Sequence, residues 1–245
     1  MDSWLGIGFV LGMLIGLITV LHWYKHHYTP HPELVRKLLH IGMGLTTLTF
    51  PWLFDEVWPV LILAGITVPG LMALRYSKHL KARLGGVING VERNTSLGEI
   101  YFSLGVAGLF ILSDGDPLRF TIPILLLALA DAIAALVGIR YGRLFYATIE
   151  GYKSIEGSLA FFLVAFFCIL MPLSFFSDIG LVGALLIALL LALLMMLVEA
   201  VAWHGLDNLF IPVVGFLLLN ALLDMPFGEF GNQLLLTIAS TIFAI

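Results

Sequence analysis

The sequence predicts an all-α fold: a polytopic integral membrane helical bundle of about nine transmembrane helices, forming one domain over residues 1–245. Three observations predict it. Hydrophobic residues make up 60% of the chain and charged residues only 11%, against about 25% charge in a soluble domain, and mean hydropathy is +1.05. The apolar residues run continuously rather than in alternating ten-residue segments, which favours helices over a barrel. The basic residues also sort to one side of the expected membrane.

Taken in order, the first apolar run is 4–23. No basic residue precedes it and Lys25 follows, so it reads as a retained span rather than a cleaved signal peptide. Runs at 38–54, 57–74, 99–113 and 119–140 come next, the last carrying Asp131 in its interior. Those at 155–176, 179–203, 207–223 and 231–245 complete the set, and Cys168, the single cysteine, excludes an intrachain disulfide. Placing the connection after the first span in the cytoplasm puts Lys25, Arg36, Lys37, Arg75, Lys78, Lys81, Arg83, Arg93, Arg140, Arg143 and Lys153 on that side. Arg119 alone falls outside, with the acidic Asp55, Glu56, Asp114, Asp116, Asp178, Asp224 and Glu229. The positive-inside rule then sets the N-terminus outside and the C-terminus in the cytoplasm.

An ionisable group in a spanning helix costs roughly 2.5–3.5 kcal/mol on insertion scales, so Asp131 is a functional-site candidate. It lies nine residues before Arg140, about 13 Å deeper along a helix. Four further polar groups reach the cytoplasmic end of their spans: Glu33, Arg36, Lys37 and His40 on one helical face; Arg93 with Glu99; Lys153 to Ser158; and Glu199 with Asp207 and Asn208. Together they describe a cytoplasmic funnel with a carboxylate near its floor. Lysine and arginine at a membrane edge also snorkel to headgroups, and Gly138-xxx-Gly142 also suits plain helix packing. Lys153-Ser154-Ile155-Glu156-Gly157-Ser158 offers cations, hydroxyls and amides to an anion at a helix start, or a simple cap there. It lacks the Walker A glycines. Asp207 could equally cap its helix, which leaves Glu199 unexplained. Carboxylates converging from separate helices suit Mg²⁺, which takes one or two of them plus substrate phosphates.

Four segments in this order resemble the polyprenol kinase family, which includes dolichol kinase, phytol and farnesol kinases and the CTP-dependent diacylglycerol kinase. They are Glu33-Leu-Val-Arg36-Lys37-Leu-Leu-His40, Asp131-Ala-x-Ala…Gly138-x-x-x-Gly142-Arg143, Lys153-Ser-x-Glu156-Gly157-Ser158 and Glu199…Asp207-Asn208-x-x-x-Pro212. The resemblance covers roughly 30–220. It implies transfer of the γ-phosphate of a nucleoside triphosphate, typically CTP, to a lipid alcohol entering from the cytoplasmic leaflet, with Mg²⁺ as cofactor. Nucleic acid is not an expected partner. The expected location is a prokaryotic cell membrane or the endoplasmic reticulum, with the site facing the cytoplasm.

On this reading Lys153, Arg143, Ser154 and Ser158 hold the triphosphate. Gly138, Gly142, Glu156, Gly157 and Asn208 belong to the same nucleotide site, Glu156 orienting Lys153. Asp207, Glu199 and Asp131 are expected metal ligands, and the base is Asp131 or His40. Arg36, Lys37 and Arg93 are further nucleotide contacts, with Glu33 and Glu99 behind them. Related phosphatidate cytidylyltransferases share the Asp-x-x-Ala…Gly pattern but continue with His-Gly-Gly…Asp-Arg-x-Asp. Here His204-Gly205-Leu206-Asp207-Asn208 departs from that signature, which favours the kinase. A small-solute transporter would need polar access from both sides, and the external connections offer only short acidic caps.

Overall fold

The computed structural model describes residues 2–76, 97–149, 151–225, 236, 237 and 239. Helices α1 (Ser3–Tyr28), α2 (Pro32–Thr47), α3 (Phe50–Leu53) and α4 (Trp58–Tyr76) come first. A long span follows α5 (Gly98–Ser113) and consists of α6 (Pro117–Leu125), a π-turn (Leu126–Ala130) and α7 (Asp131–Tyr141). After it come strands β1 (Phe145–Thr148) and β2 (Gly151–Ser154), then α8 (Ile155–Phe176), α9 (Gly180–Val201) and α10 (Asp207–Leu223). Among the described residues, four helices are long and apolar enough to cross a membrane: Ser3–Tyr28, Pro117–Tyr141, Ile155–Phe176 and Gly180–Val201. Trp58–Ala73, Gly98–Ser113 and Asp207–Leu223 are shorter apolar helices. The expected span at 231–245 lies almost wholly outside the described residues, as does Arg93.

One expectation needs correction. The run at 38–54 is not one helix. It starts earlier, where Pro32 occupies the first turn and His31 Nδ1 accepts the Glu33 N–H, a position where proline's missing donor costs nothing. It stops at Thr47, and Phe50–Leu53 forms a separate short turn with Pro51 in it. The hydroxyls of Thr46, Thr47 and Thr49 donate to carbonyls three or four residues back, the back-bonding that bends helices.

The fold is all-helical as expected, with one short addition: 145–154 makes an antiparallel hairpin pairing Phe145 with Ser154 and Tyr146 with Lys153. Gly151 has φ +135°, a conformation that suits glycine.

The long span Pro117–Tyr141 runs through the centre. Phe120, Ile122, Ile124, Leu126 and Leu127 are fully buried, and Phe161, Ile169, Leu190 and Leu191 pack into the same core from α8 and α9. Lipid is as apolar as these side chains, so close packing rather than exclusion of water holds such helices together. Small residues supply it. A Cβ on Gly44 would strike the Ala128 side chain, and one on Gly105 would lie 2.6 Å from the Asn208 carbonyl oxygen and 3.0 Å from Pro212. Where α7 crosses α8, a Cβ on Gly157 would lie 3.0 Å from the Ala134 carbonyl and 3.3 Å from Gly138 Cα. These approaches seat α2 on the π-turn, α5 on the start of α10 and α7 on α8.

Candidate active site

The deepest element of the site is an ion pair. Lys37 Nζ donates to Asp131 Oδ2 over 2.6 Å, joining α2 to α7. Lys37 is 3% exposed and Asp131 4%, so neither charge is hydrated and each requires the other. The π-turn sets this geometry. The Asp131 N–H donates five residues back to the Leu126 carbonyl, while the Leu127 carbonyl accepts from His40 Nε2 at 2.9 Å. His40 also stands 3.6 Å from Asp131 Oδ2 and packs edge-on against Phe102. A carbonyl can only accept, so the proton of the neutral imidazole sits on Nε2. His40 therefore cannot act as a base through that nitrogen.

A second lysine–carboxylate pair lies toward the hairpin. Lys153 Nζ is 2.7 Å from Glu199 Oε1 and donates also to the Glu199 carbonyl oxygen. Burial pulls the Lys153 pKa down, but the Glu199 carboxylate and its hydrogen bond more than offset this, and the net shift is upward. The ammonium is therefore firmly charged at neutral pH. Asp207, at the first residue of α10, accepts the Asn208 N–H at 3.0 Å. It lies within electrostatic reach of Asp131, Lys37 and Lys153, and Glu199 is within reach of Asp131 and Asp207. Three carboxylates and two ammonium groups from α2, α7, β2, α9 and α10 thus face one another. Beside them, Asn208 is 4% exposed and its side-chain oxygen has no hydrogen-bond partner, an unsatisfied acceptor of the kind that calls for explanation.

The other expected residues divide between the site and its scaffold. Arg36 pairs with Glu33 on α2 and lies within electrostatic reach of Asp131 and Glu99. Ser154 caps α8, its hydroxyl oxygen accepting from the Gly157 N–H at 3.1 Å. Cβ atoms on Gly138 and Gly142 would each lie 2.9 Å from Ser154. Those glycines therefore serve the α7–α8 contact, the packing reading that the sequence had left open. Glu156 does not orient Lys153. Its carboxylate accepts from the Leu144 N–H at 3.3 and 3.4 Å and faces Arg143, because the hairpin turns Lys153 toward α9. Arg140 and Arg143 are exposed.

Ser158 is buried and shares a 2.8 Å hydrogen bond with the Tyr146 hydroxyl. Tyr146 was not foreseen. The signal available was the Phe145–Ser154 stretch, whose central glycine marks a hairpin and whose strand register sets Tyr146 beside Lys153.

Among the described residues, no three His, Cys, Asp or Glu side chains converge closely enough to hold a metal ion by themselves. The donor chemistry still fits a hard cation that takes part of its coordination from phosphate oxygens, as Mg²⁺ commonly does. Asp207, Glu199 and the unsatisfied Asn208 oxygen are oxygen donors of that class.

No family model matches the sequence, and no solved structure matches it. A curated phytol kinase from Synechocystis sp. is 32% identical over 217 residues, covering 86% of this chain and 88% of that protein. At that identity and coverage, shared ancestry extends over nearly the whole fold, and the chain belongs to the polyprenol kinase family.

Proposed function

We propose that this protein is a lipid-alcohol kinase. It transfers the γ-phosphate of a nucleoside triphosphate, CTP being the expected donor, to the hydroxyl of a membrane-embedded prenol, phytol or diacylglycerol. The observation that carries the reading is the pairing of two lysines with two carboxylates around Asp207, inside a bundle of apolar helices. The similarity to a phytol kinase supports a lipid acceptor. Phosphoryl transfer needs positioning and charge neutralisation more than covalent help, and this cluster offers both signs of charge.

In the reaction the alcohol oxygen bonds to the γ-phosphorus as the β–γ bridging P–O bond breaks, and the nucleoside diphosphate leaves. Lys153 and Lys37 are suited to exchange their carboxylate partners for phosphate oxygens. Arg36 and Arg93 are proposed outer contacts of the nucleotide. The hydroxyl proton goes to a carboxylate. Of the two expected bases, Asp131 is preferred, because His40 Nε2 is already a donor. Mg²⁺ held by Asp207 and Glu199 together with the phosphates would neutralise the charge on the transferred group. The proposed orientation faces this cluster to the cytoplasm, with the N-terminus outside.

The test incubates purified protein with γ-labelled CTP, ATP or UTP and a panel of lipid alcohols. Labelled lipid with CTP is expected. Label transfer to no alcohol from any donor overturns the reading. Incorporation of α-labelled CTP into phosphatidate, with pyrophosphate released, would identify a cytidylyltransferase instead.

A further inference from the structure

Two clefts flank the hairpin. The smaller, about 70 Å³, is lined by Thr148, Tyr152, Lys153 and Asp207 and belongs to the charged cluster. The larger, about 450 Å³, lies between the hairpin and α9, with Ala147 and Ile149 on one wall and Met196, Ala200 and Val201 on the other. That volume is in the range of small-molecule sites, about 300–1,000 Å³. Its lining is apolar apart from Thr148, which borders both clefts, and the Tyr146–Ser158 hydroxyl pair. In the strand register Tyr146 stands directly opposite Lys153, so the two side chains share one face of the hairpin. Glu199, the partner of Lys153, precedes Ala200 on the wall of the larger cleft. The Lys153–Glu199 pair therefore marks the boundary between an apolar cleft and a charged one.

The surface around the larger cleft also has a membrane character. Phe145, Ile149, Tyr152 and Val201 are 59%, 72%, 78% and 61% exposed, which a hairpin in bulk water would not favour. Aromatic residues of this kind settle at the headgroup level of a bilayer. A cleft opening there is reachable from the lipid phase. Of the two hydroxyls in the Tyr146–Ser158 bond, one hydrogen and several lone pairs remain for a third hydroxyl.

We propose that the larger cleft holds the hydrocarbon chain of the lipid alcohol and that Tyr146, paired with Ser158, orients its hydroxyl past Lys153 into the charged cluster. This deepens the kinase reading and rests on it. Tyr146 is a positioning residue, and the cleft walls set the preference for acceptor length. An apolar pocket with one small polar locus suits a molecule that has one hydroxyl on a long apolar body. The charged cleft on the other side of the boundary is left for the donor.

The test uses the full chain in lipid nanodiscs with γ-labelled nucleotide and primary alcohols of increasing chain length. Ala200→Phe narrows the cleft from α9. Ala147→Phe narrows it from an exposed hairpin position, where folding is not at stake. Both are expected to raise the KM for the longest alcohols about tenfold or more relative to the KM for nucleotide. Tyr146→Phe should lower kcat/KM for alcohol by about tenfold, the loss of one positioned hydrogen bond, with the KM for nucleotide little changed.

An active Ala147→Phe protein with an unaltered chain-length profile overturns the cleft assignment, whatever Ala200→Phe does. A Tyr146→Phe protein with parental kcat/KM for every alcohol overturns the positioning role. If the parent protein labels no alcohol at all, the kinase reading itself fails, and that outcome is distinct from both.

Discussion

Replacing Asp131 by Asn is expected to destabilise this protein as well as inactivate it, and the two effects can be separated. The substitution removes the partner of Lys37, whose ammonium sits 2.6 Å away and is 3% exposed. Breaking a buried ion pair by removing one partner costs about 3–5 kcal/mol, because the remaining charge is left uncompensated. For a chain of this size each kcal/mol moves the melting temperature by about 2–4 °C, so the loss should be about 6–20 °C. Replacing both partners by apolar residues of similar volume is often neutral or stabilising. The double variant Lys37→Met/Asp131→Leu should therefore melt near the parent while transferring no phosphate. Thermal melts of Asp131→Asn, Lys37→Met and the double variant in detergent, each with a γ-label transfer assay, close the cycle. An Asp131→Asn protein that melts with the parent would refute the argument, as would a double variant less stable than either single one. The first outcome would mean that the pair is hydrated, and the second that its worth lies in something besides charge compensation.

Gly157→Ala should destabilise by about 1–3 kcal/mol in the same melts, since its Cβ would press on the Ala134 carbonyl and on Gly138. Gly16→Ala, where nothing lies within 4 Å, should not. Ser154→Ala removes the cap of α8 and should cost about 0.5–2 kcal/mol. Lys153→Met should abolish transfer in the label assay. Lys153's own contribution to stability should not vary between pH 6 and about pH 9. Its pKa is raised in the fold, so that contribution is complete below the unfolded-state value near 10.4 and fades only as pH climbs through the higher folded value. A Lys153 ammonium that releases its proton below about pH 9, followed by nitrogen-resolved NMR titration of the parent, would contradict this.

Much of the bundle was legible because continuous apolar runs announce buried or lipid-facing helices directly. The ranges 155–176, 179–203 and 207–223 lie within about two residues of α8, α9 and α10. The neighbourhood of Lys37, His40 and Asp131 was also anticipated, since an isolated carboxylate in an apolar span must find a cation or a cavity. Its pairing was not. Which lysine meets which carboxylate depends on helix rotation, and here an extra residue in the π-turn sets that rotation for Asp131. The hairpin was missed because four-residue strands leave too little periodicity beside long hydrophobic spans. That omission sent Lys153 toward Glu156 by helical spacing, when strand geometry carries it to Glu199. Ser154, Gly138 and Gly142 show a double use of one residue set. Residue types that suit phosphate binding also suit a tight helix crossing, and the backbone approach reveals the crossing without testing the phosphate.

The π-turn at Leu126–Ala130 has a consequence for how this span can vary. An additional residue in one turn offsets all that follows by about 100° around the axis, so Pro117–Tyr141 behaves as two helices in series with a phase step between them. A single helical wheel drawn through it would assign Asp131 to the wrong sector. The upstream half can therefore answer to the demands of the apolar core and the downstream half to those of the charged cluster, each with its own allowed substitutions. Closing the π-turn into regular α-helix with every residue kept would erase the step. The composition and length of the span would be almost unchanged, yet Asp131 would swing away from Lys37. In this bundle the site's register is stored in a hydrogen-bond pattern, and hydrophobicity alone does not protect it.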